Sequence, residues 1–157
     1  MASQSTHQQI VDEVVEIIEG LNLTSLPSAT PLPVINQRLV DFQQLDVYPC
    51  VVVMAAGQET AESGTTGKDD IGYPVGIALL DRTPGEDVTL ADTWTLWRQE
   101  IRNKFINQRQ LNALNGFPSV YTCRWEPGQI LEIKPLQYQK CVGSMILRFM
   151  SRETRGP

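Results

Sequence analysis

A chain of 157 residues, 41% hydrophobic and 20% charged, is long enough to bury one core without metals or disulfides and too apolar to stay disordered. Its net charge of −5 argues against a protein that reads nucleic-acid sequence, and its longest apolar runs, Cys50–Ala56 and Ile77–Leu80, fall far short of the roughly 20 residues a membrane span needs. Met1–His7 has neither the basic start nor the apolar stretch of a secretory signal, so the expectation is a protein kept in a cytoplasm or carried inside a larger particle.

Taken in chain order, Thr6–Leu21 reads as a helix. Ile10, Val14, Ile17, Ile18 and Leu21 recur at helical spacing, Asp12, Glu13, Glu16 and Glu19 take the other side, and Gly20 and Asn22 supply the stop. Thr24–Pro33, with Pro27, Pro31 and Pro33, is an extended connector, and Val34–Val40 a first strand. Cys50–Ala56 is continuously apolar and valine-rich, the pattern of a strand covered on both sides. Gly57–Gly72 is long and polar and reads as a loop, mobile or ordered by a partner.

Tyr73–Asp81 follows as a strand with Tyr73, Val75, Ile77 and Leu79 on one face, and Pro74 is expected at its beginning or on an edge. From Leu90 to Gln110 a second helix steps through Trp94, Trp97, Ile101 and Phe105, with Arg98, Arg102, Lys104 and Arg109 as a basic outer face. Ser119–Trp125 alternates Tyr121, Cys123 and Trp125 against Val120, Thr122 and Arg124. Cys141–Arg152 sets Cys141, Met145, Leu147 and Phe149 against Ser144, Arg148 and Arg152, and Ile130–Ile133 is a short extra strand candidate between them. The expectation is a single α/β (α+β) domain over residues 1–157, with mobile or assembly-ordered ends at 1–5 and 153–157. It has a mainly antiparallel sheet, two amphipathic helices packed on one face and the order α-β-β-β-α-β-β. The other sheet face is expected to be half-polar and free to meet a partner.

The search for chemistry returns little. Cys50, Cys123 and Cys141 are widely spaced, odd in number and flanked by apolar residues, which favours reduced buried thiols over disulfides or a zinc site. His7 is the single histidine and precedes the first helix, so a nucleophile with a histidine base has no obvious location. Gly64-Thr65-Thr66-Gly67-Lys68-Asp69 fails the spacing of a phosphate-binding loop, with Asp69 where a hydroxyl is required. The acid pairs Asp12/Glu13 and Asp69/Asp70 read as solvated charge, and Trp94 and Trp97 read as core in preference to a stacking platform. No catalytic, cofactor-binding or metal-binding residues are assigned.

Charge is unevenly divided. Residues 1–70 carry ten acids against Arg38 and Lys68, a net −8, whereas residues 71–157 carry eight acids against eleven bases, a net +3. This describes either two solvated faces or an acidic patch that meets a basic patch on a neighbouring copy. In the second reading the candidate assembly contacts are Glu59, Glu62, Lys68, Asp69, Asp70, Arg148, Arg152 and Arg155.

Several segments, in order, carry a family resemblance. They are the N-terminal amphipathic helix, Tyr48-Pro49-Cys50-Val51-Val52-Val53, Thr65-Thr66-Gly67, Tyr73-Pro74-Val75-Gly76-Ile77, Trp97-Arg98-Gln99-Glu100-Ile101, Leu147-Arg148-Phe149 and Glu153-Thr154-Arg155-Gly156. Together the chain resembles the tail-terminator or tail-completion proteins at the neck of long-tailed bacteriophages, over nearly its full length, although each motif alone is a helix or strand fragment. The resemblance implies a homohexameric ring in the virion that caps the tail tube and halts its growth. The implied partners are the tail tube protein, a neck connector protein and, in contractile tails, the sheath, with DNA passing through the lumen without sequence-specific binding. Two alternatives stay open: another head–tail connector or head-closure protein, and a small ligand-binding domain or enzyme using Trp94 and Trp97.

Overall fold

In the computed structural model, which describes residues 5–25, 30–31, 33–36, 50–63, 67–82, 88–106, 120–127 and 140–154, two helices cover one face of a six-stranded sheet. The first helix, α1, spans Thr6–Gly20. Ser5 caps it, its hydroxyl accepting from the Gln8 amide at 3.2 Å. Asn22, at φ +51°, turns the chain into the left-handed region just past the helix, and its amide donates back to the Glu19 carbonyl. Ile10, Val14 and Ile18 are buried as the spacing requires, and Val11 and Val15 join them.

The strands are β1 (Thr24–Ser25), β2 (Thr30–Pro31), β3 (Val34–Asn36), β4 (Cys50–Ala55), β5 (Thr60–Ser63), β6 (Lys68–Arg82), β7 (Val120–Pro127) and β8 (Lys140–Thr154). The second helix, α2, covers Val88–Ile106. The main sheet runs β3-β4-β6-β8-β7, with β5 also pairing β6, and every pairing is antiparallel except β3 with β4. β1 and β2 form a separate two-stranded ladder inside what the sequence presents as a connector.

One core gathers α1, α2 and the face of β6 bearing Tyr73, Val75, Ile77 and Leu79, together with Val51, Val53, Met145, Leu147 and Phe149. Trp97, Ile101 and Phe105 enter it from α2, and Phe105 meets Phe149 edge-on with ring centroids 6.0 Å apart. Each fully buried aliphatic side chain here contributes on the order of 1.5–3 kcal/mol.

The polar stretch 57–72 departs from the expected loop. Thr60–Ser63 forms β5, and β6 begins at Lys68, five residues ahead of the expected start at Tyr73. Weak local strand preference is overridden here by pairing with β6 and, behind it, β8. Between the pairs Ala55↔Val75 and Thr60↔Gly72, residues Ala56–Glu59 bulge opposite only Tyr73 and Pro74. Pro74 therefore sits mid-strand in a central strand, at the gap where β6 changes partner from β4 to β5, so its missing N–H costs no ladder bond. Its carbonyl accepts from His7 Nε2 at 2.6 Å, which ties the start of α1 to the sheet. Gly57, at φ +111°, lies over the proline ring, where an added Cβ would come within 3.0 Å of Pro74 Cβ.

Three further expectations are corrected. Arg98 is not on an outer face: it is buried, and its Nη1 donates to the Ser144 carbonyl at 2.9 Å, one residue beyond the last β7–β8 pair. Tyr121 does not share a face with Cys123 and Trp125. A bulge between Val120 and Thr122 shifts the alternation, so Val120 is buried and Tyr121 exposed. The last strand, expected to end at Arg152, continues through Glu153 and Thr154.

The second sheet face is divided along its length. Cys50, Val52, Met54, Ala78 and Leu80 form a buried apolar cluster at one end, and the polar residues concentrate at the other. Residues 37–40 of the first expected strand, 107–110 of the second helix, the Ile130–Ile133 candidate, Arg155 and the side chains of Trp94 and Cys141 lie outside the described residues.

Candidate assembly surface

At about 3.3 Å per residue, β6 and β8 are each about 50 Å long and paired throughout. The buried core reaches Val120 and Ser151, with Ile71 packed against it. Past them, β5, Lys68–Asp70 and Arg152–Thr154 form a mostly polar β arm. Asp70 pairs with Arg152 at 2.9 Å, and the Arg152 guanidinium also stands 5.3 Å from the centroid of the exposed Tyr121 ring. Glu59, Glu62 and Lys68 are exposed and make no ion pair among the described residues. Asp69 is half-buried on β6, opposite Glu153 of β8.

Arg148 has a different role from the other candidate contacts. Its side chain is only 11% exposed. It forks onto Glu126 of β7 through Nε and Nη2, and donates through Nη1 to the Gln58 carbonyl and to Thr60 Oγ. To reach them it crosses β6 at Gly72, where a Cβ would lie 2.4 Å from Thr60 Oγ and 3.0 Å from Arg148 Cδ. Arg148 therefore braces β7, β8 and the start of β5 from within.

On the helix side the arm is anchored by a polar cluster. The Tyr73 hydroxyl donates to Glu153 Oε1 at 2.7 Å, the Ser151 hydroxyl reaches the same oxygen at 3.3 Å, and His7 lies against the Tyr73 ring, centroids 5.3 Å apart. Burial, followed by the bond to the Glu153 carboxylate, pushes the Tyr73 phenol well above its ordinary value, so it stays a donor. Asp12, one of the acid pairs, accepts from Gln8 Nε2 and Asn36 Nδ2 and so joins α1 to β3. Among the described residues, no three metal-capable side chains gather and no helix is long and apolar enough to cross a membrane. Trp97, 3% exposed, has no free face on which a base or sugar could stack.

Cys50 and Cys123 form no disulfide. Burial raises the Cys123 thiol to about 12, so its reactive thiolate is scarce near neutrality. Because the folded protein holds this proton more tightly than the unfolded chain, the stability it confers is complete below about pH 9 and lost as pH rises toward 12. Cys123→Ala is expected to flatten that part of the stability–pH curve, measured by urea unfolding at successive pH values. An alkaline limb identical to the parent's would refute the assignment.

Sequence reasoning missed Arg124, an exposed base on the outer strand β7, on the same face as Arg148. Its alternation with Val120 and Thr122 is visible in the sequence, but that β7 is an outer strand is not. No known protein-family model and no curated protein matches this chain.

Proposed function

We propose that this protein is a structural, non-enzymatic subunit of the neck or tail of a long-tailed bacteriophage, forming a ring that caps the tail tube and joins it to the head, with DNA passing through the centre. The observation that carries the reading is the internally braced polar arm, with Glu59, Glu62 and Lys68 exposed at its surface. A rigid arm can present charge at a fixed geometry without the entropy loss of ordering a flexible loop. The resemblance in the order of helices and strands supports the same reading. A growing tube stops when a subunit matches its end on one side and offers no copy of that end on the other.

Incubation with purified tail tubes, followed by electron microscopy, tests this. The protein is expected at tube ends, and binding only to portal-side components would instead favour a head-closure role. Deleting residues 59–70 removes β5 and the first residues of β6, none of which belongs to the buried core. That variant is expected to fold, with its thermal midpoint lowered by no more than about 5 °C, and to lose tube binding. Loss of cooperative unfolding would show the arm to be part of the folding unit.

A further inference from the structure

We propose that β5 and β7, the two outer strands at the arm end of the sheet, are complementary halves of a single interface, with β5 of one copy pairing against β7 of the next. This rests on the reading that the protein assembles with copies of itself, and it names the surface that does so.

Among the described residues β5 pairs only with β6, and β7 only with β8, so each has one open side. Ala61, Glu62 and Ser63 on β5, and Tyr121 and Arg124 on β7, are exposed. The two strands overlap across the sheet at one end, and Glu62 and Arg124 stand four residues apart in level, at Asp70 and Pro74 of β6. Thr60 lies opposite Gly72, Gly72 opposite Met150 and Met150 opposite Thr122. Three successive antiparallel pairings make β5 run opposite to β7. A neighbouring copy held in the same orientation and displaced four residues along the strands therefore brings β5 alongside Cys123–Glu126 of β7 with the polarity an antiparallel ladder requires.

Charge selects this pairing over its competitors. Glu62 shares a face with Asp70, and Arg124 shares that face with Arg148, so acid and base project on the same side at opposite edges. Joining β5 to β5 sets acid near acid, and joining β7 to β7 sets base near base, whereas joining β5 to β7 in the register displaced by four residues sets Glu62 opposite Arg124. The bulge at 56–59 and the bulge at Tyr121 keep each edge from being a flat, general template, the usual protection against indiscriminate sheet growth. The resulting contact is head-to-tail, and sheet twist rotates each copy relative to the last, the geometry that closes rings.

Sedimentation velocity of the full chain, with thermal unfolding as the check on folding, tests the pairing. Wild type is expected to self-associate. Glu62→Lys and Arg124→Glu are each expected to melt like wild type and to associate about tenfold or more weakly. The double variant Glu62→Lys/Arg124→Glu, and an equimolar mixture of the two single variants, are expected to recover association, because each restores opposite charges across the contact. Amides of Thr60–Ser63 and Cys123–Glu126 are expected to gain exchange protection on association. Single reversals that associate like wild type, or a wild type that stays monomeric at millimolar concentration, overturn the pairing. The tail-tube experiment separates this from the functional reading. Tube capping that is indifferent to both reversals defeats the edge interface alone, and charge-swapped association without tube binding defeats the tail assignment alone.

Discussion

Replacing Trp97 with alanine is expected to lower the free energy of unfolding by about 3–5 kcal/mol, measured by chemical denaturation. Trp97 is 3% exposed and enters the core from α2 alongside Ile101 and Phe105. Truncating it removes the transfer energy of the ring and leaves a cavity that a close-packed interior refills only in part. At roughly 2–4 °C per kcal/mol for a chain of this size, the thermal midpoint falls by about 6–20 °C. Leu96 is the matched control: its neighbouring side chain is 49% exposed, and Leu96→Ala is expected to stay within about 0.5 kcal/mol of wild type. Equal stability for the two variants would remove Trp97 from the core and reopen the question of what its ring contacts.

Arg148→Met is the second large effect, at about 1.5–3 kcal/mol. Methionine keeps much of the aliphatic stem that crosses Gly72 but abandons Glu126, the Gln58 carbonyl and Thr60. The Glu126 side chain is 40% exposed and regains water, so the loss stays below that of an ion pair cut apart in a dry interior. Arg148→Lys is expected to recover little, because one ammonium cannot fork onto a carboxylate and also reach the Gln58 carbonyl in the bulge before β5. Hydrogen exchange locates the damage: amides of Thr60–Ser63 should exchange faster while those of Val51–Val53 do not. Uniform acceleration through the sheet would mean that Arg148 supports the whole fold and not the arm alone.

The two helices and the central strands were legible because their signals are periodic and buried. Ile10, Val14 and Ile18 at helical spacing, and Val75, Ile77 and Leu79 at strand spacing, each belong to the same core. What the sequence hid depends on partners distant in the chain. Thr60–Ser63 has no apolar alternation and becomes a strand only because β6 lies beside it. Arg98 looks like one more base on a polar helix face until the end of β7 leaves the Ser144 carbonyl within its reach. Pro74 reads as the beginning of a strand or part of an edge, yet it sits inside a central strand, accommodated by the four residues 56–59 that bulge beside it. Among the candidate contacts, Glu59, Glu62 and Lys68 are exposed, whereas Arg148 is committed to bonds inside the molecule.

The pairing of β6 with β8 also sets the order in which the molecule can form. β8 follows every other described element in the chain yet lies between β6 and β7 in the interior of the sheet. Its contacts with β6 span from 58 residues at Arg82↔Lys140 to 86 at Lys68↔Thr154. Loops of that size must close before either long strand gains its ladder, and such high contact order makes for slow folding. During synthesis, β6 emerges with one of its two long flanks bare and waits for the ribosome to deliver residues 140–154. Newly made chains thus pass through a stage in which apolar strand edges meet one another freely, and crowded overexpression is the condition most apt to divert them into aggregates.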